Sequence, residues 1–117
     1  MEENPEDKGK ATEKKVSRAL ENLQEKGVIK NFGQTFSFGK DDMYGVDFYI
    51  FPLVGKEIKI QVKSSWNKKK AQIYRKKGIR LLYLWPNQTI ADAEKKLCRI
   101  INNYTNYYQK RKKRRIN

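Results

Sequence analysis

The sequence contains no histidine and only one cysteine, Cys98. A single cysteine cannot form an internal disulfide, and without histidine a zinc site is not expected. The absence of histidine also removes the usual general base of serine and cysteine hydrolases. Any metal bound here should therefore be a hard, oxygen-binding cation such as Mg2+. We expect Cys98 to fill space in the protein rather than to act as a nucleophile.

Long apolar runs are also missing. No run of about 18 apolar residues is present to span a bilayer. The first ten residues, MEENPEDKGK, lack the apolar segment of a secretion signal. We therefore expect an intracellular, cytoplasmic protein with no membrane contact, and a nuclear one only in a eukaryotic setting.

Positive charge is abundant. Lysine and arginine number 27 against 13 acidic residues, which gives a net charge of +14 over 117 residues. A charge of this sign and size opposes compaction and favours a polyanionic partner, for which nucleic acid is the expected candidate. The length suits one domain with a single modest core. We divide the chain into a flexible leader (residues 1–9), a domain (10–108) and a basic tail (109–117).

The stretch from Tyr44 to Ser65, YGVDFYIFPLVGKEIKIQVKSS, predicts two strands joined by a tight turn, with the break at Phe51 to Gly55. Alternation with a period of two sends Gln61 and Lys63 to one face of the second strand. If the strands pair as a hairpin, Asp47 lies beside them, and an acid, an amide and an amine meet on one surface. The alternative is an ordinary surface aspartate next to amphipathic strands without any shared role.

Other elements follow from periodicity and from the positions of glycine and proline. The apolar strand Ile79 to Trp85 is expected at the centre of the sheet and, because a helix precedes it, parallel to the second hairpin strand. Thr89 and Asp92 predict the cap of the last helix. The remaining elements are a helix from Lys10 to Lys26 ended by Gly27, an edge or bulged strand within Val28–Phe38, and a helix from Asn67 to Lys77.

Three groups of residues allow two interpretations each. Glu13 falls about 20° from Leu20 around the first helix, so it either serves a metal site or only favours the helix dipole in the first turn. Asp41 and Asp42 are either metal ligands or, as we expect, loop residues. The tyrosines of the last helix either stack on bases or, as we expect, pack on the domain: Tyr104, Tyr107 and Tyr108.

The pattern G-V-D…I-Q-V-K, which contains Asp47, Gln61 and Lys63, resembles the signature of the PD-(D/E)XK nuclease superfamily. That superfamily includes restriction enzymes, archaeal Holliday junction resolvases and repair nucleases. Val46 replaces the family's proline, and Gln61 replaces the usual acidic residue, although glutamine occurs there in some active members. The first helix, GKATEKKVSRALENLQEKG, is similar to that of the archaeal resolvases, in which a metal-binding glutamate follows a glycine; by position that glutamate is Glu13.

The resemblance implies an α/β domain with the restriction-endonuclease-like core, in the order α-β-β-β-α-β-α, whose central mixed sheet is flanked by helices. It implies that Glu13, Asp47, Gln61 and the Val62 carbonyl hold Mg2+ or Mn2+. Lys63 would then orient the attacking water or stabilise the developing charge. The implied protein is a homodimeric, metal-dependent endonuclease that cleaves DNA, with branched DNA such as a Holliday junction as a candidate substrate, in recombination or repair.

Basic and hydroxyl side chains provide the expected nucleic-acid contacts. Blocks of cations such as the tail are usually disordered and often act as nucleic-acid arms. Two alternatives to a nuclease stay open: an inactive nucleic-acid-binding protein on the same fold, and a structural or assembly protein that engages RNA. The expected contact residues are Ser64, Ser65, Lys68, Lys69, Lys70, Arg75, Lys76, Lys110, Arg111, Lys112, Lys113, Arg114 and Arg115.

Overall fold

A computed structural model of the protein describes residues 5–35, 45–64 and 68–116. It is an α/β fold with three helices and a four-stranded mixed sheet in the part of the chain described, and the predicted order α-β-β-β-α-β-α is confirmed. The elements are α1 (Pro5–Glu25), β1 (Ile29–Gln34), β2 (Phe48–Pro52), β3 (Ile58–Lys63), α2 (Lys68–Lys76), β4 (Ile79–Tyr83) and α3 (Ile90–Ile116).

The strands lie in the order β1-β2-β3-β4. The predicted hairpin is confirmed, because β2 and β3 pair antiparallel with Phe48 opposite Ile60. The register between β1 and β2 shifts between Ile29 and Asn31, which confirms the expected irregular edge strand. The far end of that predicted strand, and the loop with Asp41 and Asp42, lie outside the described residues.

The fourth strand runs parallel to β3, as expected, but its predicted central position is wrong. β4 is the outermost strand of the described sheet. Its apolar sequence has a different cause: α2 packs against it, and Leu82 and Leu84 enter the core that α3 helps to form. A covered edge strand is therefore as apolar as a central one, and continuous hydrophobicity does not distinguish the two positions.

The main core lies between one face of the sheet and the helices α1 and α3, which pack along each other. Because side chains alternate along a strand, burying one set of β3 residues on this face leaves Gln61 and Lys63 on the opposite face. Cys98 packs against this core, half-buried, as expected of a space-filling residue. The core residues of β2 and β3 are Phe48, Ile50, Ile58, Ile60 and Val62.

The first helix begins at Pro5 rather than at Lys10, so residues 5–9, assigned to the leader, are helical. Glu13 consequently lies about two turns into the helix. The helix dipole acts within the first turn, so the interpretation of Glu13 as a dipole partner is wrong. The predicted end is confirmed: Gly27 has a φ of +76°, and a Schellman motif forms, in which the Val28 N–H donates to the Leu23 carbonyl (2.9 Å).

The last helix begins with the predicted capping box. The Thr89 N–H donates to Asp92 Oδ2 (2.8 Å), and the Asp92 N–H donates to Thr89 Oγ1 (3.2 Å). α3 then continues to Ile116, through the residues assigned to the basic tail. Within the described ranges, every helix is too short or too polar to cross a membrane.

The expected packing of the helix tyrosines is confirmed for Tyr104. Its hydroxyl accepts the Lys56 N–H (2.7 Å), and its ring lies against Gly55, at the turn between β2 and β3. Tyr107, in contrast, is 60% exposed. Because Tyr104 is at the hairpin turn, the helix that follows it projects beyond the end of the sheet opposite to Asp47.

Candidate active site

Pairing of β2 and β3 brings Asp47 to the end of β3 that carries Gln61 and Lys63. The regular register ends with Phe48 opposite Ile60, and Asp47 precedes Phe48. The Asp47 N–H donates to the Ile60 carbonyl (2.8 Å), whereas the Asp47 carbonyl accepts the Thr35 N–H (2.9 Å), so the ladder is irregular at Asp47. Gln61 and Lys63 share one face of β3. The meeting of acid, amide and amine on that face stays a prediction.

The Asp47 carboxylate ends the pairing of β2 with β3. Its Oδ2 accepts a hydrogen bond from the Val62 N–H (2.8 Å), in the place where a backbone carbonyl of a longer β2 would accept it. In an antiparallel pair, the N–H and C=O of one residue point to the same side. The Val62 carbonyl therefore also faces β2, beside the Asp47 carboxylate.

Gln61 is a buried polar residue whose side-chain oxygen lacks a hydrogen-bond partner among the described residues. The side chain is 9% exposed, and its Oε1 is buried. Buried acceptors are nearly always paired, and an unpaired one costs about 1–3 kcal/mol. Carboxylate, carboxamide and backbone carbonyl oxygens together form a donor set that suits a hard divalent cation. This oxygen, which has no partner in the part of the chain described, therefore fits the metal that the family resemblance implies.

Tyr74 of α2 positions the lysine. The Lys63 Nζ lies 5.7 Å from the centre of the Tyr74 ring, within the range of a cation–π interaction. The same ring packs onto Gly45, where a Cβ atom would collide with it, and Gly45 has a φ of +82° that favours glycine. Tyr74 thus connects α2 with the segment before Asp47 and with Lys63. Periodicity did not place it in the site, because the contact is purely tertiary.

Glu13 lies half-buried on α1, in a groove that it shares with Gln34 of β1. Gln34 pairs with Phe48, the neighbour of Asp47, so the groove is at the same end of the sheet as the other site residues. Coordination of one ion by Glu13 and Asp47 together stays a prediction. The groove is otherwise mainly basic; its other lining residues are Lys10, Lys14, Ser17, Arg18 and Glu21.

Within residues 5–35, 45–64 and 68–116, no three acidic, cysteine or histidine side chains converge as a metal cluster. A cation at this end of the sheet would thus depend on the Gln61 amide and the Val62 carbonyl in addition to carboxylates. Comparison with protein-family models, curated proteins and solved structures finds no match to the chain. The residue types and their geometry are consequently what supports a function.

The expected nucleic-acid contacts fall into two groups, one after β3 and on α2 and the other at the end of α3. Ser64 is half-buried directly after Lys63, whereas Ser65 lies outside the described residues. The cations of α2 flank the site, because Tyr74 of the same helix packs beside Lys63; four are exposed, and the side chain of Lys70 is not described. Those of α3 lie beyond the hairpin turn, where Lys110 and Arg111 are exposed and 112–115 are helical. The exposed α2 cations are Lys68, Lys69, Arg75 and Lys76.

Proposed function

We propose that this chain is a metal-dependent endonuclease that hydrolyses phosphodiester bonds in DNA, on a restriction-endonuclease-like core. The observation that carries the proposal is the buried Oε1 of Gln61, which has no hydrogen-bond partner among the described residues. Gln61 shares a strand face with Lys63 and precedes Val62, whose N–H donates to the Asp47 carboxylate (2.8 Å). The element order supports the proposed core, as does the mixed sheet, in which β1, β2 and β3 are antiparallel and β3 and β4 are parallel.

The roles of the residues follow from the charge that develops during phosphodiester hydrolysis. Glu13, Asp47, the Gln61 amide oxygen and the Val62 carbonyl would hold Mg2+ or Mn2+. When bound, the cation supplies positive charge for the phosphoryl oxygens and lowers the pKa of a coordinated water. Lys63, steadied by the Tyr74 ring, orients the water or stabilises the negative charge of the transition state.

The distribution of charge supports a polyanionic substrate. The net charge is +14, and the exposed cations of α2 lie next to the site through the Tyr74–Lys63 contact. Contacts from lysine and arginine to phosphates position a nucleic acid and provide most of its non-specific affinity. Branched DNA and a homodimer, both implied by the family resemblance, are part of the proposal; sedimentation of the purified protein tests the dimer.

One observation favours a second candidate, a nucleic-acid-binding protein on the same fold without catalysis. Gln61 is neutral, and the described residues offer no third carboxylate to the site. Lower ligand charge reduces affinity for a hard cation. An inactive protein would keep the basic surfaces of α2 and α3 and would show no stabilisation by metal.

The decisive experiment is a cleavage assay on four-way junctions, flaps and linear DNA with Mg2+, Mn2+ or EDTA. We expect metal-dependent products from the parent protein and none from Asp47→Asn. Asparagine keeps an oxygen that can accept the Val62 N–H, so this variant should remain folded. Glu57→Gln, which removes one exposed negative charge at the hairpin turn, is the matched control and should cleave normally.

Full activity of Asp47→Asn would rule out the proposed site. Failure of the parent to cleave any of these substrates, together with no stabilisation by Mg2+ or Mn2+, would establish the binding protein as the better account.

A further inference from the structure

Trp85 lies just beyond β4, at the end of the sheet where the candidate active site is. β4 ends at Tyr83, but the Leu84 N–H still donates to the Lys63 carbonyl (2.9 Å), so the chain remains beside the end of β3. Trp85 is the next residue and is 47% exposed. Because Tyr83 pairs with Lys63, Trp85 lies two residues beyond that pair, at the end of the sheet that carries Gln61 and Lys63.

The loop that carries Trp85 is held in place at several points. The Trp85 N–H donates to Gln88 Oε1 (2.9 Å), and the Gln88 N–H donates back to the Trp85 carbonyl (2.9 Å). From α1, the Lys15 ammonium donates to the carbonyls of Pro86 and Gln88, each at 2.8 Å. These bonds close a turn and attach it to α1, so the backbone that carries the indole is held in place before any ligand arrives.

A second lysine supports the ring itself. The Lys96 Nζ lies 4.7 Å from the centre of the Trp85 ring and donates to Gln88 Oε1 (2.8 Å) and to the Tyr83 carbonyl. Burial lowers the pKa of the Lys96 ammonium, mainly through desolvation. A single exposed aromatic residue needs no special explanation. An exposed indole that Lys96 supports, on a turn attached to α1 at the same end of the sheet as the candidate active site, does call for one.

We propose that Trp85 is a stacking platform for an unpaired nucleobase adjacent to the phosphodiester that the site engages, an inference that rests on the proposed function. Stacking of a base on an aromatic side chain corresponds to about 5- to 150-fold in affinity. In a continuous duplex, both faces of each base are covered by neighbouring bases. The platform therefore favours DNA with single-stranded nucleotides, as at a flap or an opened branch point, over plain duplex.

The test measures binding in EDTA, where no cleavage occurs, to three labelled DNAs: a single strand, a flap and a duplex of equal length. Trp85→Ala should weaken binding to the single strand and the flap at least about 5-fold and to the duplex less than about 2-fold, a contrast set by the stacking contribution. Trp85→Phe keeps an aromatic face and should retain part of the preference. Tyr107→Ala, which removes another exposed aromatic residue, is the matched control and should leave the preference unchanged.

A spectroscopic measurement separates stacking from a structural effect. In a Trp66→Phe background, the remaining tryptophan, Trp85, should lose fluorescence when the single strand binds and much less when the duplex binds. Equal weakening on all three DNAs, or no weakening, would overturn the platform.

The outcome is independent of catalysis. If the parent cleaves DNA but Trp85→Ala binds all three DNAs as the parent does, the stacking role of Trp85 is refuted and the proposed nuclease function is supported. Selective loss of single-strand and flap binding by Trp85→Ala, in a parent that never cleaves, supports the platform and removes the nuclease.

Discussion

Replacing Gln61 with methionine should make the metal-free protein more stable. Methionine has a similar length and shape but no hydrogen-bonding oxygen, whereas the Gln61 Oε1 is buried and lacks a partner among the described residues. Removing such an acceptor eliminates its desolvation penalty. A residue that only fills space would not need a buried oxygen without a hydrogen-bond partner. A gain in stability in Gln61→Met therefore indicates that the oxygen serves a ligand.

The expected gain is about 1–3 kcal/mol, the cost of an unpaired buried acceptor. An unfolding entropy of about 2.1 cal/mol/K per residue gives about 0.25 kcal/mol/K for 117 residues. The melting temperature should therefore rise by about 4–12 °C in EDTA. The matched control is Gln24→Met, the same change at an exposed position of α1, which should alter stability by less than about 0.5 kcal/mol.

Metal should reverse the order of stability of the parent and Gln61→Met. Binding to the folded state adds RT ln(1 + [L]/Kd), or about 2.7 kcal/mol at 100 times the Kd. The parent should gain this stabilisation on titration with Mg2+, and Gln61→Met should gain much less because it has lost a ligand. Gln61→Glu should behave in the opposite way: less stable in EDTA, because it adds a negative charge near Asp47, and stabilised at lower Mg2+ concentrations.

Thermal unfolding followed by circular dichroism, in EDTA and across the Mg2+ titration, measures all four proteins. If Gln61→Met melts at or below the parent temperature in EDTA, the Oε1 is satisfied in solution and no longer supports a metal site. Equal responses of the parent and Gln61→Met to Mg2+ would show that any bound metal lies elsewhere.

Other consequences concern the basic end of α3, the contact between Gly45 and Tyr74, and the cap of the last helix. Deleting residues 110–117 should weaken binding to all nucleic acids and should leave cleavage of short DNA at saturation unchanged. The slope of the logarithm of the binding constant against the logarithm of salt concentration should become shallower by about 0.9 for each phosphate of duplex DNA that the deleted cations neutralise. An unchanged slope would exclude a binding role for these residues. Gly45→Ala should lower the melting temperature more than Gly27→Ala does, because both glycines have positive φ but only the first meets a tyrosine ring; equal effects would contradict that packing. Hydrogen bonds from the N-cap threonine lower the pKa of Asp92 from 3.8, so their contribution to stability is present above that pH and lost as pH falls through the lower, folded-state pKa. Asp92→Asn should accordingly flatten the acid limb of a urea-midpoint titration, and a limb identical to that of the parent would contradict it.

The sequence by itself determined the elements whose causes are local. Alternation of apolar and polar residues along Ile58–Lys63 is enough to set the buried face of β3, and the turn residues make it the partner of β2. The hairpin therefore brings Asp47 to the end of β3 that carries Gln61 and Lys63, where its carboxylate accepts the Val62 N–H. The cap at Thr89 and the end of α1 at Gly27 were predictable for the same reason, since each depends on residues within one or two helical turns.

Only the tertiary structure decided what depends on residues distant in sequence. β4 is apolar because helices cover it, and its place at the edge of the sheet follows from which strand it pairs with, not from its composition. Tyr74 reaches Lys63 and Gly45 only because α2 folds back over the end of β3. The lack of a partner for the Gln61 oxygen among the described residues is likewise a property of its surroundings. The separation of the cations of α2 from those of α3 also arises from packing, because it depends on where α3 passes the hairpin turn.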